Sequence, residues 1–330
     1  MLKPARAAMA ALWVMGGMLG TQASAETTPE APRVQTNIVY GTGLIHASEG
    51  PESRPLTMDA YLPGNASAEA PVPAIVMAFG GAFHRGDKGE GTFYEDGAQN
   101  SSMASYCRAI AKAGIACFSI EYRLTQEDPG LGRPHNPARL FPDSMVADPA
   151  ATARIDFARK QMGLEPLNDE TRQWYWHDIF AAAEDMTSAV EHVRAQADTY
   201  GLDPDRIAIG GFSAGAITAI NTAYGMDTPV SAVVAISGSV GGYNPGAGLP
   251  AAPPPLLMFA GENDLPGIIL GSRYLRDTLI AAGTPPETAW VPGFGHFYPM
   301  EAPSLGADLS KVSVERRIID FLNRELGTGD

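Results

Sequence analysis

Continuous apolar runs that alternate with helical patterns constrain the fold of this chain more than any other feature. Residues 73–79 and 115–122 are two such runs, and neither shows the alternation of apolar and polar side chains expected of a strand with one solvated face. Strands that are apolar on both faces are typical of a parallel sheet covered by helices on both sides. These two runs therefore predict the centre of an α/β sheet.

The same alternation continues to the end of the chain. Further predicted strands lie at residues 37–40, 56–62, 206–209, 230–236, 256–260 and 287–291. Predicted helices lie at residues 103–113, 178–200, 272–282 and 312–326, and another starts near residue 214. The chain is therefore predicted to form a doubly wound, mostly parallel α/β fold.

The chain has the length and composition for one large core, since 45% of its 330 residues are hydrophobic. No internal repeat or linker divides it. Residues 125–175 interrupt the alternation, because they are rich in Pro and Asp and contain a single helical pattern near residues 150–162. A long excursion of this kind is usually a lid, a binding element or a disordered loop. We interpret it as a lid-like insertion in a catalytic domain at residues 26–330.

Three aromatic residues, Trp174, Tyr175 and Trp176, stand at the end of the predicted insertion. They have two interpretations. They supply apolar contact area for a ligand, or they seal the insertion to the core.

The first 25 residues are typical of a signal peptide. Lys3 and Arg6 precede an apolar run at residues 7–20, and Ala23-Ser24-Ala25 follows. The run is shorter than the roughly 20 residues needed to span a bilayer. The sequence therefore predicts export to the periplasm or medium, with cleavage near Ala25 and no stable membrane anchor.

The charge of the chain argues against one class of partner. The formal net charge is −14 at pH 7 and becomes more negative when Lys3 and Arg6 leave with the signal peptide. An acidic surface repels phosphate backbones, so no nucleic-acid partner is expected. The sequence also has no metal-ligand cluster, phosphate-binding loop or dinucleotide fingerprint, so no cofactor or metal is predicted.

The two cysteines stand close together in the predicted order of elements. Cys107 falls in the helix predicted at residues 103–113, and Cys117 falls in the strand that follows it. In an oxidising compartment these residues can form a helix-to-strand disulfide. Two buried free thiols are the alternative, and the sequence does not decide between them.

A serine stands between a predicted strand and a predicted helix, in the segment Gly211-Phe212-Ser213-Ala214-Gly215. This G-x-S-x-G pattern is typical of a nucleophile elbow. The chain doubles back sharply there, and side chains at the two glycine positions would collide. The context predicts that Ser213 is an exposed nucleophile.

A serine hydroxyl needs a base and a third group that orients the base. After an elbow serine, the acid and then the histidine follow in chain order. Asp264 ends the strand predicted at residues 256–260 and is the expected acid, with Glu262 as the alternative. His296 lies after that acid in a turn-like segment, whereas the other histidines precede it: His46, His84, His135, His177 and His192. We therefore predict a Ser213–His296–Asp264 triad.

Acyl transfer also needs donors for the oxyanion that develops on the attacked carbonyl. Gly80, Gly81 and Ala82 follow the strand at residues 73–79, and small residues there let backbone N–H groups approach a substrate. We predict the N–H groups of Gly81 and Ala82 as donors, together with that of Ala214 after the nucleophile.

These residues together resemble the α/β-hydrolase superfamily, over roughly residues 56–326. Within it they resemble carboxylesterases with an H-G-G-G type oxyanion loop, including feruloyl-esterase-like and hormone-sensitive-lipase-like enzymes. Supporting similarities are Gly86-Asp87, the segment Glu121-Tyr122-Arg123-Leu124, and residues 201–207 before the elbow. The resemblance implies a serine hydrolase that cleaves small-molecule or polymeric carboxylic esters.

Three positions depart from the family pattern. Phe79 stands where a histidine is common, and Ala82 replaces the third glycine but keeps its N–H. Phe212 stands where lipase-like relatives have Asp, which argues against that branch. A peptide or amide hydrolase of prolyl-peptidase type and a catalytically inactive binding protein of this fold are the alternative functions.

Overall fold

The structure is a computed structural model that describes Met1 and residues 31–142, 144–147 and 149–328. Apart from Met1, the predicted signal peptide at residues 1–25 lies outside the described residues.

The described strands and helices follow the predicted alternation. The strands are β1 (Arg33–Ile45), β2 (Glu52–Leu62), β3 (Val72–Ala78), β4 (Tyr94–Glu95), β5 (Ala98–Gln99), β6 (Ala116–Ile120), β7 (Leu202–Phe212), β8 (Val233–Ile236), β9 (Leu256–Gly261), β10 (Glu287–Val291), β11 (Pro303–Gly306) and β12 (Lys311–Ser313). The helices are α1 (Met103–Lys112), α2 (Ser144–Ala147), α3 (Pro149–Gln161), α4 (Asp169–Ala195), α5 (Ala197–Tyr200), α6 (Ala214–Ile220), α7 (Pro266–Ala281) and α8 (Val314–Glu325).

One large sheet forms the centre of the molecule, with the strand order β1-β2-β6-β3-β7-β8-β9-β10-β11-β12. The strands from β6 to β10 in this order pair in parallel. Antiparallel strands flank them, β1 and β2 on one side and β11 and β12 on the other. The predicted doubly wound, mostly parallel fold is confirmed.

The strands at the centre of the sheet are covered on both faces. Every residue of β3, β6, β8 and β9 is buried, as their continuous apolar sequences predict. Because neighbouring parallel strands end at the same edge, the loops after β3, β7, β8, β9 and β10 meet there. The candidate site residues lie in those loops.

Helix α4 begins earlier than predicted. It starts at Asp169, where the Asn168 side chain accepts a hydrogen bond from the Thr171 N–H at 2.9 Å and the Thr171 hydroxyl accepts one from the Asn168 N–H at 2.8 Å. This reciprocal cap places Tyr175 and Trp176 inside a long helix rather than at the end of a loop. None of the helices in the described part of the chain combines the length and apolar content needed to cross a bilayer.

The cysteines form a disulfide that joins α1 to β6. The S–S distance between Cys107 and Cys117 is 2.07 Å, and their Cα atoms lie 5.0 Å apart. The sequence left open a disulfide or two buried free thiols, and the structure contains the disulfide.

Candidate active site

Ser213 occupies the sharp turn between β7 and α6. Its backbone has φ 53° and ψ −115°, a conformation that non-glycine residues rarely adopt. A Cβ at Gly211 would lie 2.6 Å from the Ala78 carbonyl oxygen, and one at Gly215 would lie 2.1 Å from that same oxygen. Both positions therefore require glycine, because β3 passes directly beside the turn.

The three predicted triad residues lie in one series of hydrogen bonds. His296 Nε2 is 2.8 Å from Ser213 Oγ, and His296 Nδ1 is 2.6 Å from Asp264 Oδ1. A carboxylate only accepts, so Nδ1 carries the imidazole proton and Nε2 accepts from the serine hydroxyl. His296 is thereby held in the tautomer that can take a proton from Ser213.

The Asp264 carboxylate is itself held by three donors. Its Oδ2 atom accepts from Ser237 Oγ at 2.6 Å and from the Gly261 N–H at 3.1 Å, and its Oδ1 atom accepts from the Leu265 N–H at 2.8 Å. Asp264 and His296 are both buried. These bonds hold the carboxylate in place beside the imidazole and compensate for its removal from water.

Two residues of this hydrogen-bond network were not predicted. Tyr298 lies 2.8 Å from Ser237, hydroxyl to hydroxyl, and donates to it because Ser237 donates to Asp264. Burial and the charge of Asp264 raise the pKa of Tyr298 well above its usual range, so its hydroxyl stays protonated. One feature of the sequence could have pointed to Ser237: it directly follows the strand that becomes β8, at the sheet edge where the site forms.

Glu262, the alternative acid, takes no part in this series. Its carboxylate accepts from the Gly293 N–H at 2.8 Å, and the residue is exposed. The carboxylate that contacts His296 is that of Asp264.

The loop after β3 packs directly against the elbow. A Cβ at Gly80 would lie 3.0 Å from Ser213 Cβ. In the described part of the chain, the backbone N–H groups of Gly81, Ala82 and Ala214 donate no hydrogen bond to a protein atom. These three N–H groups, two in the loop that packs on the elbow and one directly after Ser213, stay the predicted oxyanion donors.

Solved structures of esterases share this architecture over most of the chain. Esterase 2 of the Planctomycetes species Thermogutta terrifontis, with propionate bound, aligns with a TM-score of 0.55 and 16% identity, covering 91% of this chain and 96% of that one. The same esterase phosphorylated by paraoxon aligns with a TM-score of 0.55 and 17% identity, covering 91% and 95%. The chain has the α/β-hydrolase fold. A truncated carbohydrate esterase from gut microbiota also aligns with this chain, with a TM-score of 0.55 and 18% identity over 92% and 99% of the two chains.

One family model matches part of the chain. Residues 171–241 match BD-FAE, a feruloyl-esterase-like family, and the match includes Ser213 but ends before Asp264 and His296. No curated protein matches the chain at a significant level. The predicted resemblance to carboxylesterases of the α/β-hydrolase superfamily is confirmed.

Phe79, a departure from the carboxylesterase pattern, packs against an aromatic neighbour. Its ring stacks on Tyr122 with centroids 4.4 Å apart, and the Tyr122 hydroxyl donates to the Phe79 carbonyl at 2.9 Å. The base of the oxyanion loop is therefore held by an aromatic pair.

The predicted insertion reaches the surroundings of the candidate base. In α3, Arg154 pairs with Glu95 of the β4–β5 hairpin at 2.7 Å, and its guanidinium lies 5.6 Å from the centroid of Phe297. The Phe297 ring in turn meets the His296 ring edge-on at 5.0 Å. The insertion and the hairpin therefore meet beside His296, the candidate base.

Proposed function

We propose that this protein is a serine hydrolase that cleaves carboxylic esters through an acyl-enzyme intermediate. The observation that carries the proposal is the series Ser213–His296–Asp264, with bonds of 2.8 Å and 2.6 Å. The esterases that share its fold and the BD-FAE match support an ester as the substrate. One of those esterases is phosphorylated by paraoxon, a reaction expected of an activated serine.

In the first half of the reaction, Ser213 Oγ attacks the ester carbonyl carbon while its proton passes to His296 Nε2. The carbonyl oxygen becomes an oxyanion that accepts from the N–H groups of Gly81, Ala82 and Ala214. The imidazolium then gives its proton to the leaving alcohol. The product that stays on the enzyme is an acyl ester of Ser213.

In the second half, water attacks the acyl carbon and His296 takes a proton from it. The tetrahedral intermediate collapses, His296 returns the proton to Ser213 Oγ, and the carboxylic acid leaves. Asp264 stabilises the imidazolium and does not itself take the proton. Activity should fall at acidic pH because a protonated imidazole cannot act as the base.

The test is turnover of p-nitrophenyl esters and labelling by a fluorophosphonate. We expect Ser213→Ala to remain folded, to lose roughly 10⁴-fold or more in kcat and to resist labelling. Ser231→Ala is a matched control, since among the residues that the structure describes the Ser231 hydroxyl bonds only the Asp205 carbonyl, at 2.9 Å. Full activity in Ser213→Ala would overturn the proposal. Absence of both turnover and labelling in the unmodified protein would favour a binding protein of this fold.

The preference of the protein for acyl and alcohol groups can be ranked by its rates of hydrolysis on a panel of esters. It should contain p-nitrophenyl esters of increasing acyl length, acetylated sugars, feruloyl esters and a synthetic polyester. Faster hydrolysis of a peptide or anilide than of every ester would replace ester cleavage by amide cleavage.

We also propose that the protein is exported and cleaved after Ala25. The bridge between Cys107 and Cys117 supports export, because disulfides persist in oxidising compartments. Mass spectrometry of the protein recovered from periplasm and medium should give an N-terminus at Glu26. Recovery of the uncleaved chain from the cytoplasm would refute this proposal.

A further inference from the structure

The oxyanion loop contains two successive non-glycine residues in the left-handed region. Ala82 has φ 57° and Phe83 has φ 60°. Such a backbone persists only where the surrounding structure holds it. The residues that hold this loop therefore determine whether its N–H groups stay aimed at the oxyanion.

His84 holds both peptide planes on either side of Ala82. Its backbone N–H donates to the Gly81 carbonyl at 3.1 Å, and its Nδ1 lies 2.8 Å from the Ala82 carbonyl. In a trans peptide the N–H points away from the C=O. The Gly81 carbonyl, which also accepts from the Arg85 N–H at 3.2 Å, sets the direction of the Ala82 N–H. The His84 ring holds the carbonyl on the other side of Ala82 and so fixes the left-handed backbone of Ala82, on which the direction of its N–H depends.

The protonation of the His84 ring follows from its contacts. A carbonyl oxygen only accepts, so Nδ1 carries the proton and donates. The side chain is 1% exposed, and its burial, with Arg159 and Arg85 nearby, lowers its pKa to about 4. The ring is therefore neutral near pH 7, and its Nε2 atom is an acceptor.

A residue of the insertion donates to the Nε2 atom of His84. Arg159 of α3 places Nη1 3.1 Å from His84 Nε2, and its Nε donates to the Glu165 carbonyl at 2.6 Å, within the same insertion. The His84 ring also lies against Tyr175 of α4, with centroids 6.1 Å apart. The ring is thus held from the insertion on its Nε2 side and directs its Nδ1–H at the loop.

We propose that His84 is a positioning residue for the oxyanion loop and that Arg159 makes the insertion a part of the catalytic apparatus. This inference rests on the proposed function. An oxyanion hole binds the transition state more strongly than the ground state, so its disorder lowers kcat and kcat/KM together and leaves KM nearly unchanged.

The experiment compares four variants on p-nitrophenyl acetate and with a trifluoromethyl ketone, which Ser213 converts to a hemiketal oxyanion. His84→Ala removes the donor, and His84→Asn keeps an N–H near the same place. Arg159→Met removes the contact from the insertion. Lys160→Met is the matched control, because Lys160 is the exposed neighbour of Arg159 on α3.

We expect His84→Ala to lower kcat about 10- to 100-fold while KM stays within about twofold of its original value. The affinity for the trifluoromethyl ketone should fall by a similar factor. Arg159→Met should show the same pattern at about three- to tenfold. His84→Asn should recover part of the loss, and Lys160→Met should match the unmodified protein. An unchanged kcat in folded His84→Ala, or a loss of kcat without weaker ketone binding, would overturn the inference.

A second readout does not depend on turnover. Hydrogen exchange in residues 79–86 should be faster in His84→Ala and Arg159→Met than in Lys160→Met. If the unmodified protein neither hydrolyses esters nor is labelled at Ser213, the proposed function fails, and the exchange rates still decide whether these two side chains hold the loop. Equal exchange in all variants would refute that role.

Discussion

Four of the ten non-glycine residues with positive φ in the described part of the chain lie in the loops that form the candidate site. Ser213, Ser237, Ala82 and Phe83 have φ values of 53°, 49°, 57° and 60°. Each lies in a loop that follows a parallel strand, where the chain must turn sharply to present a side chain or an N–H group at the sheet edge. Such residues cost about 1–3 kcal/mol each and cluster at functional sites.

A buried carboxyl lies behind the oxyanion loop. Asp178 of α4 is 1% exposed, and its Oδ2 accepts from Thr125 Oγ1 at 2.6 Å. Burial raises the pKa of Asp178 to about 7, with the Thr125 bond and Arg159 acting in the opposite direction. The ionised form is thus disfavoured in the folded state relative to the unfolded chain.

Asp178→Asn should therefore gain stability relative to the unmodified protein as pH rises. Because the folded pKa lies above the unfolded value, the carboxyl destabilises the fold progressively from about pH 4 to pH 7, and fully above that. Because the pKa is raised by about three units, we expect the stability of the variant relative to the unmodified protein to rise by about 4 kcal/mol between pH 4 and pH 8. Urea unfolding at pH 4.5, 6 and 8 measures it.

The control for this prediction is Asp169→Asn, on the same helix. The Asp169 side chain is fully exposed, so Asp169→Asn controls for the loss of a carboxylate that is not buried. His84 is present in both Asp178→Asn and the unmodified protein, so its pH-dependent contribution to stability cancels when the two are compared. A stability difference for Asp178→Asn that stays constant with pH would contradict the prediction.

At the scale of elements, α1 and β6 are joined covalently as well as by packing. Cys107 and Cys117 are both fully buried and are separated by ten positions in the sequence. β6 lies between β2 and β3 in the sheet, so the bridge ties a surface helix to an interior strand. A short closed loop removes a limited part of the entropy of the unfolded chain.

We expect Cys107→Ala/Cys117→Ala to lower the free energy of unfolding by about 2–3 kcal/mol, from the chain-entropy model for a loop of this length. The measurement is the urea midpoint under non-reducing conditions. The unmodified protein, unfolded and refolded in reductant, is the control and should approach the stability of the double variant. Equal midpoints for the oxidised protein and the double variant would show that the bridge does not stabilise the fold.

At the scale of the molecule, one buried side chain joins the insertion to the core. Arg123 bonds Asp185 at 2.8 Å and Glu184 at 3.2 Å, both on α4, and donates to the Leu44 carbonyl of β1 at 3.1 Å. It also donates to the Gly130 carbonyl at the start of the insertion. β1, α4 and the insertion therefore share one buried ionic cluster.

Arg123→Met should destabilise the protein by about 3–5 kcal/mol, because it leaves the buried Asp185 carboxylate without its cation, whereas Glu184 keeps its bonds from His135 and from the Gly132 and Arg133 N–H groups. Arg123→Lys should recover little, since an ammonium cannot span the same acceptors. Arg123→Met/Asp185→Leu should be more stable than the single variant, because it removes the carboxylate that has lost its cation. Urea unfolding measures all three, and a loss below about 1 kcal/mol in Arg123→Met would contradict the prediction.

Much of this fold follows from patterns that are local in the chain. The runs at residues 73–79 and 115–122 become β3 and β6, and the strand predicted at residues 287–291 coincides with β10. The start of α4, the hairpin of β4 and β5, and the edge strands β11 and β12 were not predicted. These elements are short, exposed or capped by side-chain bonds, so they leave little periodic signal.

The sequence by itself determined the α/β sheet, the elbow at Ser213 and the order in which Asp264 and His296 follow, because each depends on neighbouring residues or on position along the chain. The tertiary structure alone decided what holds these groups. Ser237 meets Asp264 across 27 positions and Tyr298 across 61, and His84 meets Arg159 across 75. Contacts at such separations depend on how strands and loops pack in space. No local or periodic pattern in a single sequence predicts them.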